Sequence, residues 1–212
     1  MSTSPWRRAA GAVAAMLALA ACAPDPPAAV VGVRAQGCGP VPADGTGVFV
    51  DHGLVLTAAH TVAGSTTVEI VRDGTSRPAE LAALDPTHDL ALLRVDDRLT
   101  APLPTAAARP GRNTPATAYV VRGGEWRRID VTIVRPVVID TTDIYLEGTT
   151  ERPGFELAAD IVPGDSGAPV VVDGYLVGVV WARSSTAGGR AYAIEATALR
   201  VDASADLTRC AG

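Results

Sequence analysis

The feature that most constrains the fold of this chain is a series of short runs rich in Val, Ile, Thr and Tyr. Gly, Pro and Asp separate these runs, and such residues are typical of turns between strands. No helical pattern of useful length precedes a possible short helix near residues 195–201. The pattern therefore predicts an all-β sandwich or barrel. The runs are GTGVFV, LVLTAAH, TTVEIVR, LALLRV, ATAYVVR, RIDVTIVRPVVI, DIYLEG, APVVVD, YLVGVVWA and AYAI.

A Pro- and Ala-rich segment, RLTAPLPTAAARPGRNTP, divides the strand-forming runs into two sets of similar size. We interpret it as the link between two β-barrels. The N-terminal barrel is expected at about residues 38–100, the linker at about 101–115 and the C-terminal barrel at about 116–212. The absence of an internal sequence repeat argues against a propeller or a solenoid.

Composition excludes some classes of protein and allows others. Hydrophobic residues make up 48% of the 212-residue chain, which is enough to bury a substantial core. The formal net charge is -5, which argues against a nucleic-acid-binding surface. No metal site and no cofactor is predicted.

The N-terminus has the pattern of an export signal. Arg7 and Arg8 precede an apolar run, residues 9–21, that is too short to span a membrane comfortably. The end of this run, LAAC, resembles the lipobox of bacterial lipoproteins, which implies cleavage after residue 21 and lipidation of Cys22. An ordinary small-residue cleavage site and an uncleaved anchor remain as alternatives.

Residues 22–37 are rich in Pro and Ala, and we interpret them as a tether between the membrane and a domain that begins at residue 38. Export to an oxidising compartment would permit one disulfide between Cys38 and Cys210, near the two ends of the domain. On the chain-entropy model such a bond contributes about 4 to 5 kcal/mol. Two unpaired thiols are the alternative.

The stretch IVPGDSGAPVV places Ser166 in a tight turn between glycines, just before a run of valines. A serine hydroxyl is a weak nucleophile unless a neighbouring base activates it, so the same residues could simply form a turn between strands. His60 is the last residue of LTAAH, at the end of a predicted strand, and Asp89 comes directly before a predicted apolar strand. His52 lies in a predicted hairpin turn and is expected to be solvated, whereas His88 precedes Asp89 and fits a surface loop.

The chain order His60, Asp89, Ser166 is the order that accompanies paired β-barrels among serine hydrolases. An α/β-hydrolase would need a different order and a G-x-S-x-G turn. The three motifs LTAAH, HDLALL and PGDSGAPVV resemble the signature blocks of trypsin-like (chymotrypsin-fold) serine proteases. The sequence around these motifs is most similar to that of exported bacterial members, including HtrA-like and membrane-anchored enzymes.

This resemblance implies a fold of two packed six-stranded antiparallel β-barrels with a short C-terminal helix. It also implies the roles of the site residues. Ser166 would be the nucleophile, His60 the general base and Asp89 the group that orients the imidazole. The backbone N–H groups of Gly164 and Ser166 would form the oxyanion hole.

Two departures from members of this family matter. In animal trypsins a newly freed N-terminus pairs with the aspartate at the position of Asp165, but here the only similar stretch, residues 30–33, lies in the predicted tether. We therefore expect no zymogen activation and an arginine as the partner of Asp165. No PDZ domain follows the protease segment, so HtrA-like peptide sensing is not expected.

The specificity pocket is predicted from Asp160, which lies six residues before Ser166, where trypsins keep the carboxylate at the base of the S1 pocket. Its apolar neighbours in residues 159–162 favour a small or medium apolar P1 side chain instead. Trp181 and Arg183 are expected to narrow the pocket, with Arg183 neutralising Asp160. The alternative is that Asp160 faces solvent at a loop edge.

Together these features predict an exported serine endopeptidase, anchored to a bacterial membrane through a lipid, monomeric, and acting on protein or peptide substrates. A catalytically inactive binding lipoprotein on the same fold is one alternative. An esterase that uses the same triad is another.

Overall fold

The computed structural model describes residues 26–200 and 208–212. The predicted signal peptide, residues 1–21, and the lipidation site, Cys22, lie outside the described residues. Within the described residues strand is the main regular structure and helix is confined to single turns. No helix among them is long and apolar enough to cross a membrane. The strands are β1 Val30–Gln36, β2 Ala43–Asp51, β3 Leu54–Ala58, β4 Thr67–Arg72, β5 Thr75–Asp85, β6 Leu90–Val95, β7 Thr114–Arg122, β8 Glu125–Thr141, β9 Thr150–Ala158, β10 Pro169–Val172, β11 Tyr175–Arg183 and β12 Arg190–Glu195.

The strands form two closed six-stranded antiparallel barrels, which confirms the predicted fold class. The N-terminal barrel has the order β1-β2-β3-β6-β5-β4 and closes where Gly32 of β1 pairs with Val71 of β4. The C-terminal barrel has the order β10-β11-β12-β9-β8-β7 and closes where Val170 of β10 pairs with Ala118 of β7. Closure leaves neither sheet with an unpaired edge.

Strand β1 corrects the predicted start of the domain. Residues 30–36 pair with both β2 and β4, so they are part of the barrel and not of a tether that reaches residue 37. Val31 and Val33 are fully buried. The predicted boundary at residue 38 is wrong. The Pro- and Ala-rich residues before β1 made the whole segment resemble a tether, although the side chains of β1 pack inside the barrel.

The linker between the barrels covers residues 96–113, close to the predicted range. It packs against the N-terminal barrel through Leu103, whose side chain is buried and whose N–H donates to the carbonyl of Phe49. The helices are short: 3-10 turns at Pro26–Ala29 and Ala196–Ala198 and one α-helical turn, α1, at Ala59–Val62. The predicted C-terminal helix is the turn at Ala196–Ala198, and residues 201–207 lie outside the described part.

The predicted disulfide is present. Cys38 and Cys210 are joined, with their Cα atoms 5.6 Å apart. The bond connects the segment between β1 and β2 to the C-terminal end of the chain, so it closes a loop that includes every strand from β2 to β12.

Candidate active site

His60 is positioned by the end of strand β3. The strand runs directly into the single turn α1, and the N–H of Ala59 donates to the carbonyl of Asp89 at 3.1 Å. Ala58 and Ala59 are fully buried, so the turn packs against the interior of the domain. The imidazole at the next position is left about one-third exposed.

Asp89 lies in the turn between β5 and β6, with its side chain 3% exposed. Its φ of 58° is in the left-handed region, where aspartate is tolerated better than most residues. Its carboxylate receives two hydrogen bonds from His60. The backbone N–H of His60 donates to Oδ1 at 2.8 Å, and Nδ1 lies 2.8 Å from Oδ2. The two contacts fix the imidazole ring relative to the carboxylate.

Two further side chains contact Asp89, and the sequence did not predict either contact. The indole N–H of Trp181, on β11, donates to Oδ2 at 2.7 Å. The Nη1 atom of Arg152, on β9, lies 3.7 Å from the same oxygen. Trp181 was predicted as a pocket wall. Arg152 lies on β9, which was not among the predicted strands, and nothing in the sequence distinguished it from the other arginines.

The electrostatics around His60 combine opposing effects. Burial acts to lower the pKa of His60, but the charge of Asp89 and its hydrogen bond outweigh burial and raise it above 6.5. The positive charge of Arg152 acts in the lowering direction. Because Nδ1 is engaged by Asp89, Nε2 is the nitrogen available to accept a proton.

Ser166 lies in a loop that packs onto the N-terminal barrel. Its carbonyl accepts a hydrogen bond from the N–H of Thr46 at 2.8 Å. A Cβ on Gly167 would overlap the carbonyl oxygen of Thr46, so only glycine fits there. Gly45 separates the loop from α1: a Cβ there would lie 2.9 Å from Thr61 and 3.1 Å from the carbonyl oxygen of Ser166. The serine loop and the His60 turn are therefore neighbours across the two barrels.

The Ser166 hydroxyl makes no hydrogen bond to another side chain in the described part of the chain, His60 included. Contacts of this kind are often long in structures without substrate and tighten when substrate binds. The backbone N–H groups of Gly164 and Ser166 also donate to no carbonyl among residues 26–200 and 208–212. Gly164 has a φ of 94°, which a residue with a Cβ adopts only with strain. Two amides of this loop are therefore free to bind an external oxygen.

Asp165 is fully buried and has an arginine as its partner, as predicted. Arg122, at the end of β7, contacts it with two hydrogen bonds, Nε to Oδ1 at 2.9 Å and Nη2 to Oδ2 at 2.6 Å. The N–H of Val162 donates to the same carboxylate at 2.9 Å. The hydrogen bonds to Asp165 raise the pKa of Arg122. The guanidinium of Arg122 therefore supplies the positive charge that holds the serine loop through Asp165, and no free N-terminus is needed.

The predicted pocket residues are not brought together. Asp160 and Arg183 are both exposed, and among the described residues no ion pair joins them. The charge of Asp160 instead contributes to raising the pKa of Arg122. The predicted neutralisation of Asp160 by Arg183 is wrong, because an exposed carboxylate remains solvated and needs no buried partner. Trp181 is half-buried beneath Asp89 and belongs to the candidate site.

Comparison with known proteins agrees with this geometry. The trypsin-like peptidase domain family matches residues 45–179 of the chain. Serine protease Rv3671c of Mycobacterium tuberculosis is 32% identical over 144 residues, which cover 65% of this chain and 36% of that protein. The chain thus aligns with little more than a third of the length of that relative.

Solved structures show the same fold. The crystal structure of the active form of Rv3671c protease from M. tuberculosis has a TM-score of 0.78 and 25% identity, covering 82% of this chain and 78% of that one. An HtrA-type protease, AlgWS227A with a tripeptide, has a TM-score of 0.67 and 24% identity, covering 81% of this chain and 57% of that one. The second likeness is one of fold alone.

Proposed function

The chain belongs to the trypsin-like peptidase domain family, and on that premise we propose that it is a serine endopeptidase that uses Ser166, His60 and Asp89. The observation that carries the proposal is the pair of hydrogen bonds between His60 and Asp89, beside a serine loop with two free amides. Among the described residues the Ser166 hydroxyl makes no hydrogen bond to another side chain, so it is available to attack a substrate.

The proposed reaction begins when Ser166 Oγ attacks the carbonyl carbon of the peptide bond and His60 Nε2 takes the hydroxyl proton. Asp89 keeps the other ring nitrogen protonated and stabilises the imidazolium. The negative oxygen of the tetrahedral intermediate is bound by the N–H groups of Gly164 and Ser166, and one such donor is worth about 3 to 4 kcal/mol.

The intermediate then collapses: the C–N bond breaks, and His60 gives its proton to the leaving amine. The acyl group remains on Ser166 as an ester. In the second half of the reaction His60 takes a proton from a water molecule, and the resulting hydroxide oxygen bonds to the ester carbon. The bond from that carbon to Ser166 Oγ then breaks, His60 returns the proton to Oγ, and the carboxylic acid product leaves.

Hydrolysis of casein compared with small esters tests this proposal against the alternatives. A peptidase cleaves both substrates, an esterase only the esters, and an inactive binding protein neither. Ser166→Ala should abolish cleavage with the fold unchanged, and Asp89→Asn should lower kcat by about four orders of magnitude. Cleavage at wild-type rate by Ser166→Ala would contradict the assignment.

For specificity we propose a small or medium apolar P1 side chain. The exposure of Asp160 supports this, since a carboxylate in water selects arginine less strongly than a buried one would. A peptide panel that varies only P1 tests the proposal. A strong preference for Arg that disappears in Asp160→Ala would show that Asp160 is the base of the pocket.

For location we propose export and lipidation at Cys22, with the protease anchored to a bacterial membrane and monomeric. The apolar run in residues 9–21, the lipobox-like LAAC and the disulfide between Cys38 and Cys210 support it. Metabolic labelling with a lipid precursor should mark the wild-type protein. Label that persists in Cys22→Ala would contradict lipidation at this residue.

A further inference from the structure

Asp89 is held by more than the imidazole it faces. Its Oδ2 atom accepts hydrogen bonds from His60 Nδ1 at 2.8 Å and from Trp181 Nε1 at 2.7 Å. The indole comes from β11 of the C-terminal barrel, whereas His60 and Asp89 belong to the N-terminal barrel. One carboxylate oxygen is therefore fixed from both barrels.

A buried cation lies behind this contact. The Arg152 side chain is 2% exposed, and its guanidinium carbon lies 4.9 Å from the centre of the Trp181 ring, a cation–π distance. Its Nη1 lies 3.7 Å from Asp89 Oδ2, close enough for a strong charge interaction but too far for a hydrogen bond.

The hydrogen bonds of Arg152 go to neutral carbonyl groups. Nε donates to the carbonyl of Thr87 at 2.7 Å, and Nη2 donates to that of Thr142 at 3.0 Å. Thr87 lies two residues before Asp89, so the guanidinium also fixes the turn that presents the carboxylate. Burial of a charge is costly, and a hydrophobic side chain of similar volume is often as stable or more so. The buried charge of Arg152 is therefore weak evidence for a purely stabilising role.

We propose that Arg152 and Trp181 are positioning residues for the triad: they hold the Asp89 carboxylate in place, and their contacts set the pH below which the site loses activity. This inference rests on the proposed function, because it assigns both residues to the reaction of Ser166. Neither residue touches the reacting atoms.

The signs of the two effects agree. The cation of Arg152 disfavours a second positive charge nearby, so it makes the imidazolium form of His60 less stable and lowers the pKa of His60. The indole N–H shares Oδ2 with the imidazole and weakens the hold of that oxygen on the imidazolium. Loss of either group leaves Asp89 free to bind the imidazolium more strongly.

Other charged groups near the site are accounted for. Asp85 is buried in the turn before Asp89 and lies 2.8 Å from the ring of His88. Asp143, between β8 and β9, accepts hydrogen bonds from backbone N–H groups and acts on Arg152 by its charge. Among the described residues, Arg152 is the positive group that faces Asp89 from outside its own turn.

The experiment compares the pH dependence of kcat/KM for four variants. Trp181→Phe removes the N–H donor and keeps a ring against Arg152, Arg152→Met removes the charge, and Arg152→Lys keeps it. Arg128→Met is the matched control, because Arg128 lies on the same barrel in an exposed pair with Asp130.

We expect Trp181→Phe and Arg152→Met to move the acid limb upward by about half a unit to one unit. Each should also lower kcat about tenfold. Trp181→Phe loses one hydrogen bond to the charged Asp89, and Arg152→Met loses the hydrogen bonds that fix the turn carrying Asp89. Arg152→Lys should keep the limb near its wild-type position with a lower kcat, and Arg128→Met should change neither.

Lower activity with an unmoved acid limb in Trp181→Phe and Arg152→Met would overturn the inference, since it would show a structural role only. If Arg152→Met does not fold, Trp181→Phe decides alone. NMR titration of the His60 ring in a Ser166→Ala background gives the same reading without activity. A wild-type protein that cleaves no substrate would contradict the proposed function, whereas the NMR shift would still test the contacts.

Discussion

Among the individual residues, the buried carboxylate of Asp89 determines the geometry of the candidate site. Asp89 is held in a left-handed conformation, so that Oδ1 faces the backbone of His60 and Oδ2 faces its ring. A backbone contact and a ring contact on the same carboxylate leave the imidazole little freedom to rotate. Such preorganisation means that little rearrangement is needed when substrate binds.

The pH dependence follows from this contact. Burial favours the neutral imidazole, but Asp89 prevails, so the pKa of His60 is raised above 6.5. Only the neutral form can accept the serine proton, so activity is present above the raised pKa and lost as the pH falls through it. We expect the acid limb of kcat/KM to have its midpoint above 6.5. A midpoint clearly below that value would show that burial outweighs Asp89 in setting the pKa of His60.

The three triad residues could be predicted from the sequence, but the side chains that hold Asp89 in place could not. His60, Asp89 and Ser166 each lie in a short local motif, where neighbouring glycines and alanines reflect the tight turns around them. Arg152 and Trp181 reach Asp89 only because β9 and β11 come close to its turn in three dimensions. Within their own strands both residues have the appearance of ordinary strand residues.

At the scale of the element, the loop that carries Ser166 is held at several points. Thr46 binds its backbone from the N-terminal barrel, and Val180 accepts the N–H of Gly167 at 2.8 Å from β11. Asp165 ties its interior to Arg122. The sequence indicated an arginine as the partner of Asp165 without indicating which one, because the pairing depends on how the β7–β8 hairpin folds over the loop.

Arg122→Met should therefore weaken both the fold and the site. It leaves the carboxylate of Asp165 buried with only the N–H of Val162, and breaking a buried pair typically costs about 3 kcal/mol or more. Arg122 is itself one-third exposed, which places the cost at the lower end. Urea unfolding measures the loss, and kcat should fall more than tenfold as the oxyanion amides lose their support.

Arg128→Met is again the control, since its pair is exposed and should change stability little. Wild-type stability and activity in Arg122→Met would show that Asp165 is held by other means.

At the level of the whole molecule, two six-stranded barrels meet at the candidate site. A disulfide also joins Cys38, which follows the first strand, to Cys210 near the C-terminal end of the chain. The linker at residues 96–113 and the disulfide between Cys38 and Cys210 were predictable from composition and cysteine count. The first strand, β1, was not, because its residues follow a Pro-rich segment that resembles a linker, and only closure of the barrel gives them a partner.

The disulfide should stabilise the whole domain. It joins residues 172 positions apart, for which chain entropy gives at most about 5 kcal/mol. The double variant Cys38→Ser, Cys210→Ser should unfold at a lower urea concentration, and reductant should lower the midpoint of the wild-type protein but not that of the variant. Equal midpoints for the two oxidised proteins would show that the bond contributes nothing.

Covalent labelling of the folded protein with a fluorophosphonate, followed by mass spectrometry of its peptides, tests directly whether Ser166 is an activated nucleophile. A triad built from these residues predicts a single adduct on Ser166 in the wild-type protein, with labelling strongly reduced in His60→Ala. A correctly folded wild-type protein that remains unlabelled, or that carries the adduct on another residue, would contradict the account.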